Sequence, residues 1–282
     1  MKRREFLQSS AIAAAGLLAV PAIAGRKVKG RLGLQLYTLR DSIPHDPKGV
    51  LRKVSEYGYK ELETYSYQDG KIFGMDFSDF GKYVDDLGMK VCSGHYGLDQ
   101  VAGGRWEAAI ADAKSIGQKY MVMPYIDETE RKTLDDYKRI CEKLNQAGEV
   151  CKKHGLRFGY HNHAFEFDVL DGQKPFDVML AELDPKYVGM EMDIYWVVRA
   201  GADPVYYFDK YPKRFEQWHV KDMDKTNNDL NADIGTGSID FPALFKHASK
   251  SGMKHWYVEQ ETYPGEPINS VGASAKYLKT LL

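Results

Sequence analysis

Carboxylate and imidazole side chains recur two residues apart within short apolar segments of the sequence. Side chains alternate along a β-strand, so residues two apart share one face. The sets are His161 and His163 with Glu166 just beyond; Glu191 and Asp193; Gln217, His219 and Lys221; Tyr257, Glu259 and Glu261; and Glu61, Glu63 and Tyr65. Single polar residues at the ends of other apolar segments are Gln35, Tyr37 and His95.

This combination of side chains suits a divalent cation. An isolated buried carboxylate is costly, whereas carboxylates and histidines at the same end of neighbouring strands are tolerable around a cation. Oxygen and imidazole ligands together suit Mn²⁺, Mg²⁺, Co²⁺ or Zn²⁺, and the lack of a thiolate among them disfavours a structural zinc site. Each residue also has a simpler interpretation: His95 as a hydrogen-bonded structural residue, Glu61 as a solvated carboxylate, Lys221 and Asp222 as a surface ion pair. Their joint occurrence on successive strands favours the cation.

The segments that carry these residues alternate with amphipathic stretches. The predicted strands are 32–38, 61–65, 90–95, 120–126, 157–163, 188–194, 215–221 and 255–260. The predicted helices are 47–57, 77–87, 104–116, 133–154, 175–183, 204–210, 241–251 and 268–282. Glycine follows several of these helices, as expected at a helix C-terminus. Eight strand–helix units predict an α/β fold, a (β/α)8 TIM barrel with its site at the C-terminal strand ends; a doubly wound open sheet is the alternative.

The N-terminal segment has a different composition from the rest. Lys2, Arg3 and Arg4 precede an apolar run at 11–20 and an Ala-Ile-Ala site at 22–24. This three-part pattern predicts a twin-arginine-like signal peptide over residues 1–24, export to the periplasm, and a barrel domain over 25–282. An amphipathic N-terminal helix is the alternative. The apolar run is too short to span a bilayer, so we expect no stable membrane span after signal removal.

The overall composition narrows the function classes. The 282 residues include 39 Lys+Arg against 40 Asp+Glu, and 12% are aromatic. The missing basic excess argues against nucleic acid as a partner, and the aromatic content argues against disorder. Cys141 and Cys151 lie ten residues apart on one predicted helix, about 15 Å, and cannot pair. We interpret both, and Cys92, as buried apolar residues.

Six segments together resemble a known family: GLQLYTLRD at 33–41, YHNHAFEF at 160–167, GMEMDIYWVVRAGADP at 189–204, WHVKD at 218–222, GTGSIDFPALF at 235–245 and YVEQE at 257–261. They resemble the xylose isomerase-like TIM barrels, the sugar phosphate isomerase/epimerase family. The resemblance implies one divalent metal held by a Glu, an Asp, a His and a second Glu. Three of these match Asp193, His219 and Glu259. The strand-five ligand is His161 or Glu166, and we favour Glu166 because a second carboxylate better neutralises a dication.

The resemblance also implies an activity, namely isomerisation or epimerisation of a sugar-like small molecule through a metal-stabilised enediolate. Glu259, His161 and His163 are the predicted acid–base groups, with Lys221 stabilising the oxyanion. The predicted substrate contacts are Tyr37, Glu63, Tyr65, His95 and Trp196. A lyase or dehydratase acting on a keto-sugar, inosose or 3-keto-glycoside is one alternative, and a non-catalytic carbohydrate-binding barrel is another. The predicted export, and the lack of an obvious glycine-rich phosphate loop other than the weak candidate at 235–237, favour an unphosphorylated substrate.

Overall fold

A computed structural model describes residues 30–282, and eight parallel strands form its centre. The strands are β1 Gly33–Gln35, β2 Glu61–Thr64, β3 Lys90–Gly94, β4 Tyr120–Met123, β5 Arg157–His161, β6 Val188–Asp193, β7 Phe215–Val220 and β8 His255–Val258. They lie in the order β3-β2-β1-β8-β7-β6-β5-β4. A parallel bridge between His95 and Val122 joins the two ends of this sheet. The predicted TIM barrel is therefore confirmed.

Helices follow the strands and cover the outside of the barrel. They are α1 Pro47–Glu56, α2 Phe77–Asp86, α3 Leu98–Val101, α4 Trp106–Ser115, α5 Leu134–Lys153, α6 Pro175–Glu182, α7 Ile194–Arg199, α8 Pro204–Lys210, α9 Phe241–Phe245, α10 Ala248–Ser251 and α11 Pro267–Leu278. Short 3₁₀ helices occupy Leu36–Leu39, Glu128–Glu130 and Phe165–Phe167, and two-stranded hairpins pair Lys71–Ile72 with Met75–Asp76 and Asp222–Met223 with Asn231–Ala232.

The longest helix, α5, shows how local sequence sets these bounds. Its N-cap, Thr133, accepts a hydrogen bond from the amide of Asp136, whose carboxylate accepts from the Thr133 amide in return. This capping box satisfies two amides that the helix leaves free. The helix is followed by Gly155 at φ +81°, a conformation that favours glycine. Its buried face packs on β5 and includes Cys141 and Cys151.

Seven predicted strands begin at the expected residue and the first begins one residue later, at Gly33, but all eight are shorter than predicted. At the ends of two of them, a side chain turns the backbone. Gln35 accepts a hydrogen bond from the amide of Tyr37 and starts the 3₁₀ helix that replaces the end of the first predicted strand. Asp193 caps α7 through the amide of Trp196, so Ile194 is helical rather than extended. The helix predicted over 241–251 is divided into α9 and α10. The three cysteines are buried and free among the described residues, as predicted.

The predicted signal peptide at 1–24 lies outside the described residues. Within residues 30–282, no helix has the length and apolar character that crossing a membrane requires.

Candidate active site and metal centre

Four ligand-type side chains meet at the C-terminal ends of successive strands. His161 and Asp193 are the last residues of β5 and β6, His219 lies near the end of β7, and Glu259 follows β8. His219 Nδ1 lies 3.1 Å from His161 Nε2, 3.1 Å from Glu259 Oε2 and 3.8 Å from Asp193 Oδ2, and His161 Nε2 lies 3.6 Å from Asp193 Oδ2. Ligand bonds of about 2.0–2.2 Å to one cation separate neighbouring ligand atoms by about 3–3.6 Å. The four atoms therefore have the spacing of a single coordination shell.

The carboxylate of Asp193 supplies an independent test of that fit. The side chain is fully buried, and its Oδ2 accepts no hydrogen bond from any residue the structure describes. Its Oδ1 accepts from the Trp196 amide, and Asn162 bonds to both the amide and the carbonyl of Asp193. A buried, unsatisfied carboxylate oxygen is costly unless a cation compensates it. This donor set fits a divalent cation.

Two further carboxylates contact the other ring nitrogen of His219, Nε2. Glu63 Oε2 lies 2.6 Å from His219 Nε2, and Glu191 Oε2 lies 3.3 Å from it. Burial lowers the pKa of His219, but Glu191, Glu259 and Glu63 outweigh it and hold that pKa well above its usual range. The Nε2 proton is directed at Glu63, whereas Nδ1 faces the other ligand atoms and must lose its own proton to bind a metal. Such carboxylate partners orient metal-binding histidines in many sites.

Glu63 and His95, both predicted to contact substrate, lie differently relative to a cavity of about 470 Å³ beside these groups. Glu63 is fully buried behind His219 and Gln35 instead of lining the cavity. His95 lines the cavity and lies 2.9 Å from Glu191 Oε2. Burial lowers the pKa of His95, but Glu63 and Glu191 raise it to about 9. Glu191 was seen in the sequence only as a companion of Asp193, and the structure places it here.

Lys221 carries a buried positive charge beside the ligand atoms. Its Nζ lies 3.2 Å from Glu259 Oε2 and 3.7 Å from Asp193 Oδ2, and it also contacts Glu261. These three carboxylates outweigh the effect of burial and raise the pKa of Lys221. The interpretation of Lys221 and Asp222 as a surface ion pair is therefore wrong. Asp222 instead accepts hydrogen bonds from the amides of the loop at 235–239.

Glu166 is not positioned as a ligand. Its Oε1 accepts from the Tyr160 hydroxyl at 2.5 Å, and its Oε2 accepts from the His163 amide at 2.9 Å. Burial raises its pKa to about 7, although both donors oppose that shift. The 3₁₀ helix at Phe165–Phe167 turns the side chain back toward β5. The side chain that lies with Asp193, His219 and Glu259 is that of His161 and not that of Glu166, which the sequence had favoured.

His163 presents a neutral imidazole to the site. Burial, followed by the nearby His161 and Lys221, holds its pKa well below the usual range. Its Nδ1 accepts or donates no hydrogen bond among the described residues. The ring stacks on Phe165, with centroids 5.6 Å apart. A neutral, unpartnered nitrogen of this kind can accept a proton.

A cavity of about 470 Å³ opens above these groups. Its wall is aromatic, as predicted for Tyr37 and Tyr65, whose rings meet edge to face at 5.2 Å. Tyr125 forms the opposite wall and was missed, although its place just beyond β4 is a strand-end signal. Trp196 does not line this cavity. Its ring packs 4.9 Å from Lys221 Nζ and 5.4 Å from the His163 ring.

Comparison with known proteins agrees with this geometry. Residues 51–281 match the model of the xylose isomerase-like TIM barrel family. The chain belongs to this family. A crystal structure of a sugar phosphate isomerase/epimerase from Parabacteroides distasonis is 32% identical, with a TM-score of 0.77 over 88% of this chain and 97% of that one.

Two further proteins resemble the chain less closely. An inosose dehydratase of Mesomycoplasma hyopneumoniae is 23% identical over 276 residues, which cover 89% of this chain and 85% of that protein. A D-psicose 3-epimerase from Clostridium cellulolyticum is 12% identical and shares the fold, with a TM-score of 0.70 over 90% of this chain and 99% of that one. Isomerases or epimerases and dehydratases thus occur among the chain's relatives.

Proposed function

We propose that the chain is a divalent-metal-dependent isomerase or epimerase that moves a proton between carbon positions of an unphosphorylated sugar-like substrate. The observation that carries the proposal is the convergence of four ligand atoms, from His161, Asp193, His219 and Glu259, beside one cavity, which His161 and Glu259 line. Lys221 and His163 lie beside them, so charge stabilisation and proton transfer are available at the same place.

The ligand chemistry narrows the choice of metal. Two imidazoles with two carboxylates suit Mn²⁺, Co²⁺ or Zn²⁺ better than Mg²⁺, which prefers oxygen ligands. A bound cation of this kind would act as a Lewis acid on a carbonyl or hydroxyl oxygen of the substrate. Because His161 Nε2 faces the other ligand atoms, His161 is proposed as a ligand and no longer as a base.

The remaining groups can carry the proton. His163 and Glu259 are the proposed acid–base pair, since both line the cavity and Glu259 has a second carboxylate oxygen, Oε1, besides the Oε2 that faces His219. A base removes a proton from the carbon beside a carbonyl, and the electron pair moves onto the carbonyl oxygen. The ammonium of Lys221 stabilises the resulting negative charge. Return of the proton to the former carbonyl carbon, while the adjacent hydroxyl passes its proton to the enediolate oxygen and becomes the new carbonyl, completes an isomerisation. Return of the proton to the opposite face of the original carbon, which restores the first carbonyl, completes an epimerisation.

A dehydratase is the second candidate, and the inosose dehydratase relatives favour it. The first step is the same proton removal. The electron pair then expels a neighbouring hydroxyl, which leaves as water after accepting a proton from a cationic group such as His95. This route yields an unsaturated ketone in place of a rearranged sugar.

Deuterium incorporation separates these reactions. Chelator-treated protein is reloaded with Mn²⁺, Co²⁺, Zn²⁺ or Mg²⁺ and incubated in D₂O with ketoses, aldoses and keto-inositols, followed by NMR. An isomerase or epimerase places deuterium on a rearranged sugar, and a dehydratase produces an ultraviolet-absorbing enone. Activity should disappear without metal and in the Asp193→Ala, Glu259→Ala double variant.

The matched control for the double variant is Glu128→Ala with Glu130→Ala, which removes two exposed carboxylates. It should retain both metal and turnover. Sugar binding without exchange under any metal would contradict the proposal and favour the non-catalytic barrel.

We also propose that the protein is exported to the periplasm, on the basis of the basic, apolar and small-residue pattern at residues 2–24. Mass spectrometry of the mature chain should find Gly25 at the N-terminus. Replacing Arg3 and Arg4 by Lys should retain the protein in the cytoplasm; export unaffected by this change would argue against a twin-arginine signal.

A further inference from the structure

A second cavity, of about 640 Å³, adjoins the cavity above the ligand atoms. Ser66, Tyr67 and Gln100 line both, so the two spaces share a wall. The second cavity lies between the segments at 66–70 and 99–105, with α4 on its third side. A substrate held over the ligand atoms could therefore extend into it.

The second cavity differs from the first in chemistry. Its side chains are mainly hydrogen-bonding groups: Gln68, Asp69, Asp99, Gln100, Arg105 and Asp112. Among the described residues that line it, only Tyr67 contributes an aromatic ring. Three aspartates against one arginine leave an excess of negative charge. That charge disfavours a phosphate or carboxylate, and the many donors and acceptors suit hydroxyl groups.

Hydrogen bonds hold the wall shared by the two cavities against the neighbouring helices. The Tyr67 hydroxyl donates to Asp112 Oδ2 at 2.6 Å, and Gln100 Nε2 donates to the Tyr67 carbonyl at 2.7 Å. These bonds join the segment after β2 to α3 and α4. The wall is thus a fixed surface.

The same segment holds unfavourable backbone conformations. Ser66, Asp69 and Phe73 have φ values of 64°, 48° and 47°, in the left-handed region that non-glycine residues rarely adopt. Such strain persists where the surrounding structure fixes it, and it concentrates at ligand-binding walls. Ser66 and Asp69 themselves line the second cavity.

We propose that the second cavity is a sugar subsite and that the substrate is an unphosphorylated glycoside of two rings. One ring would lie over the ligand atoms, between the aromatic walls, and its glycosidic partner would extend past Tyr67 into the polar cavity. The role of the first ring rests on the proposed function; the subsite itself rests on the cavity, its charge and its shared wall.

Variants on α4 and in the loop before it can fill the second cavity without filling the first. Ala108 is exposed and lines this cavity, so Ala108→Trp places an indole in it. Gly104→Trp is a second way to fill it, because a Cβ there would meet no atom within 4 Å. Glu107→Trp is the matched control, since Glu107 is exposed on the same helix and does not line the cavity.

The experiment compares binding of single-ring and two-ring sugars to the metal-loaded chain. The probes are cellobiose, maltose, trehalose and sucrose against methyl glucoside, with phenyl glucoside and glucose 6-phosphate as further arms. Calorimetry gives affinities, and saturation-transfer NMR shows which ring contacts the protein. At least one disaccharide should bind about tenfold more tightly than methyl glucoside, equivalent to about 1.4 kcal/mol. Ala108→Trp and Gly104→Trp should abolish that gain, and Glu107→Trp should preserve it.

Results that contradict the subsite differ from those that contradict the proposed function. Three results would overturn the subsite. The first is equal affinity for single-ring and two-ring sugars, and the second is an equal loss of affinity for both kinds of sugar in Ala108→Trp and Gly104→Trp. The third is a larger gain in affinity from the phenyl or phosphate group than from a second sugar ring. Selective disaccharide binding without deuterium exchange would support the subsite and contradict the proposed function. Deuterium exchange on single-ring sugars, with no preference for disaccharides, would support the proposed function and contradict the subsite.

Discussion

The assignment of His161 as the fourth ligand, in place of Glu166, makes opposite predictions for two substitutions. His161→Ala removes a nitrogen that lies 3.1 Å from His219 Nδ1 and 3.6 Å from Asp193 Oδ2. Glu166→Gln alters a carboxylate that accepts from the Tyr160 hydroxyl and the His163 amide instead. The first variant should lose metal, and the second should lose stability.

The contacts set the size of each effect. Changing an outer partner of a metal ligand costs about 10–100-fold in affinity, so losing a direct ligand such as His161 should cost more than about 100-fold. The amide of Glu166→Gln cannot accept from both donors, because one of its two atoms is itself a donor. The mismatch in a buried site costs about 2 kcal/mol, within the usual range for an unsatisfied group. At about 2–4 °C per kcal/mol for a chain of this size, the melting temperature should fall by about 4–8 °C.

Two measurements check both effects. Metal titration against a competing chelator gives the affinity of each variant, and thermal unfolding of the metal-free protein gives its stability. His161→Glu should retain metal, because it keeps a ligand at the end of β5. Glu182→Gln makes the same chemical change as Glu166→Gln at an exposed position and should leave the melting temperature unchanged. Loss of metal in Glu166→Gln, with normal affinity in His161→Ala, would refute the assignment.

Two further predictions concern groups outside the ligand shell. Glu63→Gln should lower metal affinity by about 10–100-fold, as measured by the same chelator competition, because it weakens the partner of His219 Nε2; unchanged affinity would contradict that role. Gly237→Ala should destabilise the fold by about 1–3 kcal/mol in urea unfolding, because its Cβ would lie 2.3 Å from Asp222 Oδ1 and 2.4 Å from the Met223 carbonyl. Gly265→Ala is the control, since a Cβ there meets nothing within 4 Å, and equal unfolding midpoints for the two variants would contradict the prediction.

Part of the candidate site was predictable because two simple rules place its residues. Alternation along a strand gives the face of each residue, and a parallel barrel places all C-terminal ends together. These rules suffice for Asp193, His219 and Glu259. They fail for Glu166, which lies beyond β5 where the chain turns into a 3₁₀ helix and alternation no longer applies.

The second cavity lay beyond sequence reasoning for a related reason. Its wall includes Ser66 and Asp69, whose backbone is left-handed. Left-handed turns are normally signalled by glycine, asparagine or aspartate, and serine carries no such signal. Tertiary contacts, such as the bond from Tyr67 to Asp112, hold that segment. A property fixed by distant contacts leaves little trace in the local sequence.

Alternation along a strand also does not give the depth at which a side chain lies within the barrel. Glu63 and Glu191 were both on the correct face, yet they lie against His219 Nε2 and outside the ligand shell. In each case the strand register shifts immediately before the carboxylate, between Leu62 and Glu63 and between Met190 and Glu191. Bulges re-aim side chains next to active sites. These two irregularities place one carboxylate on each of two strands against the same nitrogen of His219, and its other nitrogen faces His161, Asp193 and Glu259.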